Sequence, residues 1–83
     1  MARFFDAKYV YSDWEKRYYE DDRVYVYLER DCQEFIFQVD KQILEKYHKR
    51  EIDLDTFVRF EREAESGDLR FRISENGNQL MIL

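Results

Sequence analysis

Residues 23–40, RVYVYLERDCQEFIFQVD, constrain this chain more than any other stretch. Val24, Val26 and Leu28 alternate with Tyr25 and Tyr27, and Phe35, Phe37 and Val39 alternate with Ile36 and Gln38. Successive strand side chains point to opposite faces, so each run reads as a strand with one apolar side. A hairpin turning on Asp31-Cys32 sets Leu28 opposite Phe35, Val26 opposite Phe37 and Val24 opposite Val39. All six then share one face, which is the test a register must pass. A three-residue loop would mix Phe with Tyr and bring Glu34 onto the valine face, so the two-residue loop is preferred.

A second hairpin closes the chain. Leu69, Phe71 and Ile73 alternate with Arg70, Arg72 and Ser74, and Asn76-Gly77 is a strong signal for a two-residue turn. That turn pairs Ile73 with Leu80 and Phe71 with Ile82. Arg70, Arg72, Met81 and Leu83 fall on the other face.

Helical grammar lies between and before the hairpins. Asp40 fits an N-cap, with Val39 and Leu44 as a hydrophobic staple and Ile43, Leu44 and Tyr47 marking the buried side. Lys46, Lys49 and Arg50 complement the dipole at that helix's carboxyl end. Asp53 repeats the pattern, with Ile52 and Phe57 as the staple. Leu54, Phe57, Val58, Phe60 and Ala64 form the apolar stripe, and Gly67 is placed for a left-handed C-terminal stop. Near the amino terminus, KYVY (8–11) predicts a short strand. SDWE (12–15) has capping-box form, with Ser12 as N-cap, Glu15 reaching back, and Trp14 and Tyr18 sharing a face. YSDWEKRYY also reads as an irregular connection.

These readings predict one domain over residues 1–83 of the α+β class. It comprises an antiparallel sheet of four to five strands with two or three short helices on one face. The length buries only roughly 60–65% of the unfolded surface, so the core is small. The lone cysteine, Cys32, cannot form an intrachain disulfide. The longest apolar runs, VYVYL and LMIL, fall far below the roughly 20 residues of a membrane span. The amino terminus lacks the apolar stretch of a signal peptide. A soluble, cytoplasmic protein is expected.

Few residue types that do chemistry are present. His48, the one histidine, stands among lysines at a predicted helix end. Cys32 lies beside Asp31, whose charge disfavours a thiolate. One cysteine and one histidine cannot close a zinc site, and two glycines cannot build a phosphate-binding loop. Carboxylates are plentiful, but nothing singles out a pair of them. The expectation is a protein that is not an enzyme, with no cofactor, no metal and no catalytic residues.

Binding is the better expectation. Six of the seven tyrosines fall in the first 27 residues, along with Trp14, in a chain of net charge −5. Such rings present apolar area with a polar tip and suit wet, adhesive surfaces. The acidity is local: residues 51–68 hold seven carboxylates against two arginines. One expected surface is the sheet face of Tyr25, Tyr27, Ile36, Arg70, Arg72 and Met81. The other joins Trp14, Tyr18, Tyr19, Asp21 and Asp22 to the helix acids Asp55, Glu61, Glu63 and Glu65. The partner expected for them is a protein with a basic surface, or a second copy of the chain. Single-stranded nucleic acid stacked on the tyrosine–arginine face is the alternative, and the net charge opposes it.

Two resemblances bear on these residues. The early tryptophan, the apolar hairpin, the Val-Asp-x-x-Ile-Leu opening at 39–44 and the Phe/Arg/Glu helix at 57–65 resemble short uncharacterised proteobacterial proteins. In size, acidity and aromatic surface the chain is similar in kind to phage-encoded inhibitors of bacterial defence, such as anti-CRISPR proteins. That second resemblance implies a stoichiometric inhibitor that blocks a basic nucleic-acid-binding surface in the bacterial cytoplasm. It carries no residue over.

Overall fold

The computed structural model describes residues 3–15, 23–39 and 54–83. They form strands β1 (Phe4–Glu15), β2 (Arg23–Arg30) and β3 (Gln33–Val39), helix α1 (Leu54–Ser66), and strands β4 (Phe71–Ser74) and β5 (Leu80–Ile82). The strands make one antiparallel sheet in the order β3-β2-β1-β4-β5, so the first strand in the chain is central.

Both hairpins keep the registers their apolar patterns predict. Val24 pairs with Val39, Val26 with Phe37 and Leu28 with Phe35. Ile73 pairs with Leu80 and Phe71 with Ile82. Their inward residues make the core: Val24, Val26, Leu28, Val39, Phe71, Ile73 and Ile82 are buried, joined by Phe57, Phe60 and Ala64 of α1. Each large apolar side chain so buried is worth roughly 1.5–3 kcal/mol. Phe60 packs edge-on to Phe71 at 6.2 Å, which seats the helix on this inner face. Gly67 ends α1 at φ 88°, the left-handed stop expected of it.

The amino-terminal segment departs from expectation. Residues 12–15 continue β1 instead of opening a helix, so Ser12 is no N-cap and the short strand at 8–11 extends over Phe4–Glu15. Val10 is the cause. Tyr9 pairs with Leu28 and Tyr11 with Tyr27, which leaves Val10 as the extra residue of a β-bulge. Alternation resumes one residue late, so Ser12 is buried and Trp14 half-buried on the inner face while Asp13 and Glu15 are exposed. The Tyr9 and Ser12 hydroxyls hydrogen-bond at 2.6 Å, which satisfies a buried serine that the capping motif would have turned to a backbone amide.

β1 is also shared unequally. Phe4–Ala7 pair with β4, whereas Lys8–Glu15 pair with β2. Where the two hairpins end, Arg30 ties them together. Its Nη1 donates to the carbonyls of Ile73 (2.9 Å) and Ser74 (3.0 Å), and its Nη2 to Glu75 (3.4 Å). The guanidinium lies 5.8 Å from the Phe5 ring and 5.2 Å from Phe35. Phe35 in turn closes on Gly77, where an added Cβ would stand 2.9 Å from the ring.

Two details of the helix and the second turn differ from the sequence reading, and two expected helix features lie outside the described residues. α1 is the single helix among the described residues; the expected helix from Asp40 and the Asp53 cap lie outside them. Leu54 and Val58, placed in the apolar stripe, are 61% and 40% exposed, and Thr56 is buried instead. The Asn76-Gly77 turn is a wider loop. Gly77 donates its N–H to the Ser74 carbonyl at 2.9 Å, and Ser74 N–H reaches the Gln79 carbonyl at 3.0 Å.

Candidate protein-docking surface

The alternation that buries the valines sends the tyrosines outward. On the outer face, Tyr11, Tyr27 and Ile36 stand opposite one another across β1, β2 and β3. The Tyr11 and Tyr27 rings stack at 4.2 Å and 7°, almost parallel. Tyr11 is 50% exposed and Ile36 57%, and neighbouring Val10 is 46% exposed. The next row along the strands is Asp13–Tyr25–Gln38, and the row on the other side is Lys8–Glu29–Glu34. An aromatic–aliphatic ridge is thus flanked by polar rows carrying Asp13, Glu29 and Glu34. Those three carboxylates are exposed and make no salt bridge among the described residues.

Electrostatics bind the ridge to its flanks. The hydroxyl of Tyr27 beside it, then loss of solvent, then the charges of Tyr27, Glu34 and Asp13 push the Tyr11 phenol above its usual pKa. Removing its proton would add a further negative charge to an already acidic neighbourhood.

The other half of the outer face is quiet by comparison. Arg70, Arg72 and Met81 lie there as the register predicts, but Asp6 engages both arginines. Its Oδ1 accepts from Arg72 Nε at 3.1 Å, and its Oδ2 lies 3.8 Å from Arg70 Nη2. A continuous tyrosine–arginine platform is therefore not what the fold presents. The arginines belong to β4 and its approach, beyond β1, and their charge is matched locally.

The residues proposed from sequence divide in three. Tyr25 and Tyr27 lie on the outer face, half-buried by their neighbours. Trp14 turns inward against Phe57, with ring centroids 5.4 Å apart, and packs on the core. Asp55, Glu61, Glu63 and Glu65 lie on α1, across the sheet from the tyrosines. Tyr18, Tyr19, Asp21 and Asp22 lie outside the described residues. The inner-side acids have an environment of their own. Burial, then the charge of Glu65, raises the Glu61 carboxyl. Burial likewise raises the Tyr9 phenol, against the lowering effect of its bond to Ser12. The two sets of candidates are therefore separate surfaces. Tyr11 is not among the site residues named from sequence; the bulge at Val10 is what places it beside Tyr27.

Elsewhere the surface offers shallow relief. A cleft of about 340 Å³ is lined by Phe5, Asp6, Arg30, Asp31 and Glu75, and another of about 320 Å³ lies between the end of α1 and β1. The first is built around Arg30, whose guanidinium is already engaged by backbone carbonyls. Cys32 is exposed at its hairpin tip. No group of three or more potential metal ligands forms among the described residues. No helix among them is long and apolar enough to cross a membrane.

No protein-family model matches the chain, and neither a curated protein nor a solved structure matches it.

Proposed function

We propose that this chain is a non-enzymatic protein-binding module whose outer sheet face docks a partner with a basic surface. Its action would be stoichiometric, as an inhibitor that covers a nucleic-acid-binding surface of its target. The observation that carries the reading is the exposed Tyr11–Tyr27–Ile36 row set among carboxylates with no salt bridge among the described residues. Interface cores favour aromatic and aliphatic anchors, and a rim with a surplus of one charge sign steers and selects an oppositely charged partner. Nucleic acid fits this face poorly. Its phosphates would meet Asp13, Glu29 and Glu34, and the arginines that would bind them are held by Asp6.

Affinity capture from a bacterial lysate tests the proposal when run on the native chain beside Ile36→Arg and Tyr27→Ala variants. The native chain should retain one stoichiometric protein at low salt and lose part of it at moderate salt. Both variants should release it while keeping the native amide spectrum. Retention unchanged by either substitution, or recovery of labelled oligonucleotide in place of protein, would count against the reading.

A further inference from the structure

The outer face is asymmetric around Tyr11. Tyr27 covers one side of the Tyr11 ring. On the other side β1 has no neighbouring strand at this level among the described residues, because β4 pairs only with Phe4–Ala7. Among the described residues one π-face of this stacked pair therefore has no neighbour, in keeping with the half-exposure of Tyr11. Asp13 follows on the same strand and the same face, about 7 Å further on at the usual strand rise. Glu34 lies on β3, two strands away on the side that Tyr27 covers, and adds negative charge without reaching the other face of the ring. Glu15 is also on this face but stands opposite Arg23 in the ladder, so it is offset. Lys8 is the other cation on this half of the face, set against Asp13, Glu29 and Glu34.

We infer that this face recognises arginine in preference to lysine, taking a guanidinium from a basic segment of the partner protein onto the open side of Tyr11. The inference rests on the docking proposal above. A guanidinium is planar and weakly hydrated, so it continues the Tyr27–Tyr11 stack as a third layer. Its in-plane N–H groups then point along the strand, where Asp13 accepts them as a fork. An ammonium meets the same charge but can neither stack nor fork, and it keeps more of its hydration. Charge complementarity argues for this occupant over a second copy of the chain, which would bring a like-charged acidic face to the same place.

The test is an amide-resolved NMR titration of the intact chain with three probes at low salt. They are a glycine-spaced arginine peptide, the same peptide with lysines, and an octathymidine strand. The arginine peptide should bind about tenfold more tightly than the lysine peptide, the change expected from one stacked and forked contact. It should shift the amides of Tyr11 and Asp13. Tyr11→Ala should reduce arginine binding to the lysine level, and Tyr11→Phe should preserve the preference, which separates a lost stacking surface from a disturbed fold. Asp13→Asn should weaken both peptides. Equal affinity for the two peptides on this face overturns the arginine inference and leaves the docking proposal standing. Shifts confined to other faces, or a preference that survives Tyr11→Ala, also overturn it. Octathymidine binding at this face with neither peptide bound overturns both.

Discussion

The two hairpins reach the same kind of register by different means. The β2–β3 turn is held by backbone conformation: Asp31 and Cys32 sit at φ 53° and 63°, the pair of positive angles that a two-residue type I′ turn demands. Neither residue is glycine, so each bears the steric cost of the left-handed region. The β4–β5 loop avoids that cost by being wider, with only Gly77 at positive φ (79°). Side chains hold it instead. Ser74 Oγ donates to Asn76 Oδ1 at 2.7 Å and accepts from the N–H groups of Asn78 (3.2 Å) and Gln79 (3.0 Å). One turn is tight and strained; the other is open and cross-linked. Arg30 and the Phe35–Gly77 contact then lock the two ends together, so neither turn is free to relax alone.

Breaking the lock should have the largest effect. Arg30→Ala removes charge-assisted bonds to two half-buried carbonyls and two ring contacts, for an expected loss of about 2–3 kcal/mol in urea unfolding. Arg30→Lys should recover less than half of it, because a single ammonium cannot span three carbonyls. A loss below about 0.5 kcal/mol would mean the hairpins are not coupled through this residue. The side-chain network comes next. Ser74→Ala should cost about 1–2 kcal/mol, since Ser74 is 2% exposed and its removal strips a partner from two backbone amides. Faster hydrogen exchange should follow at Asn78 and Gln79 but not at Gln33. Uniform acceleration in both hairpins would erase the distinction drawn between them. The smallest change sharpens it. Cys32→Gly should stabilise the protein by about 0.5 kcal/mol, the relief of left-handed strain less the added freedom of the unfolded chain. A lower urea midpoint for that variant would show that the strain is absent or already compensated.

The same contrast explains what the amino-acid pattern disclosed. The β2–β3 register was legible because both strands alternate without interruption and only one pairing puts six apolar residues on one face. The β4–β5 register was legible for that reason too, but the width of its loop was not. Asn-Gly favours a tight turn locally, and the Ser74 hydroxyl outcompetes it by capturing two amides beyond the glycine. In β1 the obstacle was a single residue. With Val10 counted, the pattern from Tyr11 to Trp14 falls out of phase and SDWE reads as a helix cap; with Val10 set aside as a bulge, Tyr9, Ser12 and Trp14 alternate inward without a break. In α1 Phe57, Phe60 and Ala64 were readable as core, whereas Leu54 and Val58 lie at the margin of the stripe, where the shape of the sheet beneath decides burial. The candidate surface inherited these limits. Tyr25 and Tyr27 followed from the hairpin, while Tyr11 and the inward turn of Trp14 both depended on the bulge.

The central place of β1 also orders events in time. Its distal half pairs with β2, a modest distance along the chain, but Phe4 waits for Ser74 and Arg3 passes its carbonyl to the N–H of Glu75. Contacts of such separation carry the full cost of loop closure before they return anything, which slows folding. On a ribosome the two hairpins can each close soon after they emerge. β1 precedes both hairpins yet is completed after them, and until β4 arrives the edge at Phe4–Ala7 remains open to any other extended segment nearby.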